Sequence, residues 1–314
     1  MVMIKRSVRL AASLRALGWA AFWLLLASAG MARADYRDSV SVLRIGLVET
    51  HVVATDPVKL EAIRLAFANA LAIPVEIIKL GSYAALIDAH ASGRVGYAIH
   101  SARSFAATET ACRCVRALRS PVAADGSTGF RSVLVARDSV NLPVAQLNVG
   151  FSDEASVSGW QIPQQAIRTG SLEQPKLVRG GSIASVIELY QSGRIDGFFA
   201  WLPDIPGEAG SDPERLFGGW NQSVIKSAEP LRIIWSSQRI PFGPHAVHRS
   251  LPDDLADTIG GFLDGMASSA PGLMDIFEPA YGGGYVTPDP DDYRDVRGLV
   301  EALNDRQSAE YHGR

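Results

Sequence analysis

Two serines and a glycine stand where a helix is predicted to follow a strand, in the run Ser156-Val157-Ser158-Gly159. Apolar residues 147–151 predict a buried strand before this run, and a helix is predicted from about Ser158 onward. The first turn of a helix has N–H groups without intrahelical partners and roughly half a positive charge, so it attracts anions. The turn therefore predicts an anion site, with an ordinary helix cap as the plainer alternative.

Other side chains that could bind a metal or act as nucleophiles are few. Cys112 and Cys114 are the only cysteines, and a C-x-C pair closes so small a ring that we expect free thiols or a weak bridge. No histidine lies beside this pair, and His245-x-x-His248 is too short a motif to name a metal. We therefore expect no metal, no cofactor and no thiol-based catalysis.

Charge is distributed unevenly along the chain. Residues 1–34 carry five basic side chains and no acidic one, so the remainder has 25 basic against 33 acidic residues and a formal net charge of −8. An acidic protein has no global attraction for nucleic acid, and any anion site must be local. Residues 16–32 are uncharged, and Ala32-Arg33-Ala34 fits a small-x-small cleavage site. This order predicts a signal peptide cleaved after Ala34 and a soluble periplasmic protein, with a membrane anchor as the alternative.

One sequence unit occurs twice, a hundred residues apart. Residues 81–99 read GSYAALIDAHASGRVGYAI and residues 181–199 read GSIASVIELYQSGRIDGFF, with seven identities in nineteen positions and no gap. Each copy predicts an N-cap serine, a helix, a glycine that ends the helix and a buried strand. We interpret the identities as a duplicated architecture; the alternative is chance similarity between two common units.

The elements around the two copies predict two α/β lobes. Strands are expected near residues 42–48, 74–80, 131–136, 147–151, 176–178 and 231–236, and helices after Asp56-Pro57, after Ser158 and over 255–266, while the stretch after the first copy is less regular. Strands that alternate with helices predict mostly parallel sheets. We expect residues 35–133 and 232–314 to form lobe 1, residues 134–231 to form lobe 2, and a ligand cleft to lie between them.

Several short motifs, in their order and spacing, resemble the substrate-binding proteins of ABC transporters for phosphate, phosphite and phosphonates. The motifs are Leu43-Arg44-Ile45-Gly46-Leu47, Tyr83-Ala84-Ala85-Leu86-Ile87, residues 131–139, Ser156-Val157-Ser158-Gly159, Gly193-Arg194-Ile195-Asp196, residues 236–244 and residues 292–297. The resemblance implies the type 2 periplasmic-binding-protein fold, an α/β structure of two Rossmann-like lobes with a ligand cleft between them. It also implies that Ser156, Ser158 and Gly159 bind the phosph(on)ate oxygens. Further candidates for ligand binding are Thr50, His51, Tyr83, Ser101, Val157, Ser182 and Trp201.

Two positions depart from the pattern of that family. Ile183 stands where the family usually has a histidine that helps to bind the anion, and Phe105 stands where it commonly has a tyrosine. Two lost donors weaken phosphonate binding, since each hydrogen bond to a charged group contributes about 1.5–3 kcal/mol. His51 and His100 are candidates to replace them, the alternative being ordinary loop histidines. Trp201 suits a ligand with an organic portion, or belongs to the core.

These features predict a periplasmic solute-binding protein that closes on a small oxyanion and delivers it to an ABC permease in the inner membrane. The alternative is a periplasmic ligand-sensing protein that feeds a membrane receptor or histidine kinase and binds a diverged, less polar ligand. We expect a monomer, no nucleic-acid partner and no enzyme activity.

Overall fold

A computed structural model describes residues 35–49, 51–154, 156–207 and 230–302 of the chain. A short helix, Tyr36–Ser39, belongs to an N-terminal unit that ends at Ser39, and Val40–Arg314 is a second compact unit. The predicted signal peptide and its cleavage site after Ala34 lie outside the described residues. In the described part of the chain, no helix is long and apolar enough to span a bilayer.

The second unit contains two sheets with helices between their strands. Its strands are β1 (Leu43–Val48), β2 (Val75–Leu80), β3 (Tyr97–Ile99), β4 (Val115–Pro121), β5 (Gly129–Arg137), β6 (Asn148–Phe151), β7 (Lys176–Arg179), β8 (Gly197–Asp204), β9 (Leu231–Ser236), β10 (Ile240–Pro241), β11 (His245–His248) and β12 (Tyr285–Val286). Its helices are α1 (Pro57–Leu71), α2 (Tyr83–Ala91), α3 (Ala102–Cys112), α4 (Ile162–Thr169), α5 (Ile183–Gln191), α6 (Asp253–Ser269) and α7 (Pro271–Phe277), and residues 294–302 are also helical. A π-helical turn, Val157–Gln161, runs directly into α4.

The sheets confirm an α/β fold but correct the prediction of mostly parallel pairing. The first sheet has the order β12-β4-β11-β3-β1-β2, and the second has the order β10-β5-β8-β6-β7 with β9 also paired to β5. Parallel pairing is limited to β2-β1-β3 in one sheet and β7-β6-β8 in the other. Beside each parallel set lies a strand from a distant part of the chain, β11 or β5, which runs antiparallel to its neighbour. The alternation of strands and helices could not reveal these returning strands.

The two copies of the repeated unit have the same local structure, which confirms the interpretation of a duplicated architecture. Ser82 Oγ accepts a hydrogen bond from the Ala85 N–H at 3.2 Å and caps α2, and Ser182 Oγ accepts one from the Ser185 N–H at 3.1 Å and caps α5. Each helix is followed by a left-handed glycine, with φ of 72° at position 93 and 71° at position 193. The strand that follows pairs in parallel with the strand two places earlier in the chain, as β3 with β1 and β8 with β6.

Helix α1 shows why the predicted elements form where they do. The Asp56 carboxylate accepts hydrogen bonds from the N–H groups of Val58 and Lys59 at 3.0 and 3.2 Å, and Pro57 takes the first helical position. Apolar residues at helical spacing face inward, and Ile63, Phe67 and Leu71 are fully buried. The helix therefore covers one face of the first sheet with its apolar side.

The stretch after the first copy is regular, contrary to the expectation from sequence. Helix α3 fills residues 102–112, and strand β4 follows it. Ser101 and Ser104 form a capping box at the start of α3, with the Ser104 N–H donating to Ser101 Oγ at 3.1 Å. Alanine, serine and threonine make up most of residues 102–112 and leave few large apolar side chains to show a helical periodicity.

Cys112 and Cys114 form a disulfide at the end of α3, so of the two alternatives the free thiols are corrected and a bridge is present. Arg113 between them has a left-handed backbone conformation, with φ of 51°. This turn brings the two Cα atoms to 5.0 Å, within the usual range for disulfides. The left-handed residue at the end of α3 therefore allows the two cysteines to form a bridge, although their spacing alone disfavours it.

The chain passes between the sheets twice. It leaves the first sheet after β4 and enters the second at β5, and it returns through residues 237–244 to β11. The predicted lobe boundary at residues 133–134 falls inside β5, which lies along its whole length in the second sheet. We therefore propose that the lobes divide near residue 128 and within 237–244, and that both crossings border the cleft.

Candidate functional site

A cavity of about 1190 Å³ is lined by residues from both sheets. The first lobe contributes the ends of β1 and β3, the start of α3 and the segment after α7. The second lobe contributes the π-helical turn, one side of α4 and the end of β9, and the return segment 237–243 closes the wall. A cavity between two lobes is the usual place for a small ligand.

The predicted ligand-binding residues divide into three groups by position. Four line the cavity: His51, Tyr83, Ser101 and Val157. Five lie outside its lining: Ser156, Ser158, Gly159, Ser182 and Trp201. Thr50 lies outside the described residues.

The serine turn directs its polar groups into the protein. Ser156 Oγ accepts the hydrogen bond of the Gly159 N–H at 3.0 Å, and Ser132 Oγ donates to the Ser158 carbonyl at 2.6 Å. A methyl group at Gly159 would come within 2.8 Å of Ser156 Oγ and 2.9 Å of Ser152 Oγ, so only glycine fits without a shift. The glycine and the first serine are thus explained by helix capping and close packing. A ligand role for the turn stays a prediction.

Two further candidates have structural roles that account for their presence. Ser182 caps α5, and its hydroxyl also donates to Ser185 Oγ at 3.0 Å. Trp201 lies on β8 and packs edge to face against Phe130 with the ring centroids 6.3 Å apart. Phe130 itself lines the cavity, so Trp201 supports the wall from behind.

The two departures from the family pattern pack against aromatic or apolar side chains. Phe105 is buried on α3 and packs edge to face on Tyr293 with the ring centroids 4.9 Å apart. Ile183 begins α5 and packs against the apolar core of the second lobe. Phe105 also contacts the His100 ring, with the ring centroids 6.1 Å apart, and the Tyr293 hydroxyl donates to the Phe242 carbonyl at 2.9 Å.

His100 lines the cavity, but both of its ring nitrogens are used within the protein. Its Nε2 lies 2.9 Å from His90 Nδ1, and its Nδ1 lies 3.1 Å from Ser104 Oγ. Burial lowers the pKa of His100 well below its usual value, and it lowers the pKa of His90 from 6.5 to about 4. His100 therefore positions the start of α3 through Ser104, and His51 remains the imidazole candidate for ligand contact.

The buried histidine pair predicts acid lability. His90 and His100 have lower pKa values in the folded than in the unfolded chain, so the stabilisation is complete above pH 6.5 and is lost as the pH falls toward 4. The free energy of unfolding should fall by up to about 1.4 kcal/mol per pH unit for each histidine that stays neutral. Chemical denaturation between pH 7.5 and 5 measures this slope, and a stability that stays level over that range would contradict it.

A buried carboxylate lines the cavity opposite these histidines. Glu278 is 5% exposed, and its Oε1 lies 2.9 Å from Nε2 of the fully buried His245. His245 Nδ1 in turn lies 2.5 Å from the hydroxyl of Tyr97, which burial keeps protonated by raising its pKa. Burial raises the pKa of Tyr281 to about 12, and the nearby Glu278 adds to this increase. Burial and Glu278 also raise the pKa of Tyr83.

Two arginines line the cavity, and they differ in their partners. Arg239 contacts Asp204 at 3.3 Å and Asp292 at 2.7 Å, so its charge is balanced within the protein. Arg103 lies in the first turn of α3 and reaches Gln161 Oε1 at 3.4 Å, and it has no acidic partner among the described residues. Arg103 is therefore the cavity cation that is available to an incoming anion.

A family model described as "ABC transporter, phosphonate, periplasmic substrate-binding protein" matches residues 55–293. The chain belongs to this family. Membership confirms the resemblance indicated by the sequence motifs, and it assigns the chain to periplasmic substrate-binding proteins of ABC transporters. A search of curated protein sequences gave no significant match.

Solved structures show the same fold at low sequence identity. XAC2383 from Xanthomonas citri bound to chloride ion has a TM-score of 0.59 and 14% identity, over 85% of this chain and 100% of that one. PhnD1 from Prochlorococcus marinus (MIT 9301) in complex with methylphosphonate has a TM-score of 0.50 and 15% identity, over 84% of this chain and 98% of that one. Transferrin 1 from Manduca sexta has a TM-score of 0.56 and 13% identity, over 84% of this chain and 46% of that one. The predicted two-lobed type 2 fold is thereby confirmed.

Several residues that line the cavity were not predicted from the sequence. Arg103 and Glu278 line the cavity although no motif marks them, and Arg239 lies in the 236–244 motif but had no predicted role in the site. Trp235 and Tyr281 supply the aromatic surface that was sought at Trp201. Glu278 had one usable signal, because it is an acidic residue in the otherwise apolar run 276–281. Arg103 had none, since nothing in the sequence separates it from surface arginines.

Proposed function

We propose that this protein is the solute-binding component of an ABC importer and binds a small oxyanion, of the phosphonate, phosphate or phosphite type, in the cavity between its lobes. The observation that carries the proposal is the position of Arg103, a cation without an acidic partner among the described residues, in a cavity that both lobes line. Membership of the family supports the chemical class of the ligand.

Arg103 also suggests how ligand binding favours closure. It extends from α3 of the first lobe, and its guanidinium hydrogen bonds Gln161 in the π-helical turn of the second. An oxyanion held by Arg103 therefore meets both lobes only when they are close together. Contacts that exist only in the closed form are what shifts a protein of this kind from open to closed. The closed form is then the one that an inner-membrane permease recognises.

Calorimetry and thermal shift with phosphate, phosphite, methylphosphonate and ethylphosphonate test the proposed ligand class. We expect at least one of them to raise the melting temperature and to bind with a stoichiometry of one. If none of them binds at millimolar concentration, the ligand class is wrong.

Two substitutions locate the anion. Arg103→Gln should weaken binding about tenfold to a hundredfold, since a hydrogen bond to a charged group contributes about 1.5–3 kcal/mol. Ser158→Ala should leave the dissociation constant unchanged, because Ser158 lies outside the cavity lining. Arg94→Gln, at an exposed arginine outside the lining, is the matched control. If Ser158→Ala alone lost affinity, the anion would bind at the serine turn and not at Arg103.

A further inference from the structure

The cavity wall is mainly apolar, although the proposed ligand is an anion. More than half of the lining residues are aliphatic, aromatic or proline. Of the charged groups in the lining, Arg103 is the arginine without an acidic partner in the described part of the chain, while Glu278 and Asp295 have carboxyl groups that do not favour an anion. The oxyanion therefore belongs near Arg103, and most of the wall is left for a different chemical group.

The serine and threonine hydroxyls of the lining already donate hydrogen bonds within the protein. Ser101 donates to Ser104 Oγ, and the others donate to backbone carbonyls: Thr169 to Gln165, Ser171 to Ala166, Ser236 to Ser237 and Ser237 to Gln238. An anionic head group accepts hydrogen bonds and cannot use a hydroxyl whose one proton is engaged. Polar contacts beyond Arg103 are therefore few, and a tightly bound ligand must obtain much of its binding free energy from apolar contacts.

Five aromatic side chains from separate parts of the fold line the cavity. Tyr83 begins α2, Phe130 lies on β5, Trp235 lies on β9, Phe242 lies on the return segment and Tyr281 follows α7. Phe242 and Tyr281 pack on each other with the ring centroids 4.9 Å apart. The aromatic surface thus extends over both lobes and over the segment that joins them.

These five aromatic side chains are only partly buried by the protein. Tyr83 is 44% exposed, and the other four are half-buried. A ligand that covers aromatic surface inside a concave site gains the hydrophobic contribution of that surface. Phosphate and methylphosphonate are too small to cover rings on both lobes of a cavity of about 1190 Å³. A flat ring that stacks on these side chains, or meets them edge to face, would cover them.

We infer that the ligand is an oxyanion with an aromatic body, and that Trp235 contacts this body and determines specificity for it. The inference rests on the proposed function, which places the oxyanion of the same molecule at Arg103. Trp235 has the largest ring system of the five, and it lies on β9, directly before the return segment that carries Phe242. The inference predicts that small oxyanions bind weakly and that a ring attached to the same head group raises the affinity.

Three phosphonates with the same head group test the inference by calorimetry: methylphosphonate, cyclohexylmethylphosphonate and benzylphosphonate. The wild-type protein should bind benzylphosphonate about tenfold or more tightly than methylphosphonate, and about threefold or more tightly than the equally bulky but saturated cyclohexylmethylphosphonate. Trp235→Leu should reduce the ratio of benzylphosphonate to methylphosphonate affinity about fivefold or more. Trp160→Leu is the matched control and should keep the wild-type ratio. Both tryptophans pack against one cluster of buried apolar side chains in the second sheet, but Trp160 lies outside the cavity lining.

The wild-type comparison is decisive even if Trp235→Leu does not fold. If benzylphosphonate binds no more tightly than methylphosphonate or cyclohexylmethylphosphonate, the inference is overturned and the proposed function stays intact. A wild-type affinity ratio in folded Trp235→Leu would overturn the role of Trp235. If none of the three phosphonates binds, the proposed function and the inference both fall.

Discussion

Gly243→Ala should lower the free energy of unfolding by about 3 kcal/mol or more and weaken ligand binding at least tenfold. Gly243 lies on the return segment between the lobes and lines the cavity. A Cβ at this position would lie 1.9 Å from the His100 carbonyl oxygen and 2.6 Å from Ser101 Cα, so backbone must move to accept it. His100 and Ser101 line the cavity and begin α3, so the displacement reaches Arg103 as well.

Gly261→Ala is the control for this prediction, and its expected effect has the opposite sign. Gly261 lies on the exposed side of α6, and a Cβ there would meet no atom within 4 Å. Alanine in a helix interior is more favourable than glycine by about 0.5–1 kcal/mol, so this variant should be slightly more stable than the wild type. Chemical denaturation and calorimetry with a phosphonate measure both variants. Wild-type stability and affinity in Gly243→Ala would show that the return segment does not set the geometry of the cavity wall.

Asp204→Ala should cost about 3 kcal/mol of stability and shift the balance between open and closed forms. The Asp204 carboxylate at the end of β8 contacts Arg131 Nε at 2.6 Å and Arg239 Nε at 3.3 Å, and Arg239 also contacts Asp292 in the first lobe at 2.7 Å. Removing Asp204 leaves Arg131 without its acidic partner, while Arg239 keeps Asp292. Breaking a buried pair costs about 3–5 kcal/mol, and partial exposure of both arginines places this case at the lower end.

A surface pair supplies the comparison for Asp204. Asp291 and Arg294 form an ion pair at 2.5 Å with both side chains more than half exposed, so Asp291→Ala should cost less than about 0.5 kcal/mol. Urea denaturation gives both stabilities, and small-angle scattering with and without a phosphonate reports the change in compactness. Equal stabilities for the two variants would mean that the network at Asp204 is not a structural joint between the lobes.

Much of the fold could be predicted because its signals are local. The N-cap serines at positions 82 and 182, the left-handed glycines at 93 and 193 and the apolar strands after them appear directly in the sequence, and the structure repeats them in both sheets. Antiparallel strands such as β11 were missed, because a four-residue strand whose partners lie more than a hundred residues away leaves no periodicity.

The candidate site was predicted less completely, for a physical reason. Ser156 and Gly159 have the residue types of an anion site, but the same types serve a tight helix cap, and only the hydrogen bond between them distinguishes the two. The burial of Glu278 and its contact with His245 are tertiary properties that no local pattern reveals. Tyr83 and Ser101 were candidates because Tyr83 lies in a motif of the family resemblance and Ser101 follows the strand of the first repeated unit, and both line the cavity.

The central claim is that an oxyanion binds between the lobes, in the cavity that Arg103 lines. A crystal structure with methylarsonate tests it directly, because arsenic can be located by its anomalous scattering while the ligand keeps the shape and charge of a phosphonate. The account predicts an arsenic peak inside the cavity, against the Arg103 guanidinium and in contact with both lobes. At saturating methylarsonate, a cavity without such a peak, or a peak outside it, would contradict the account.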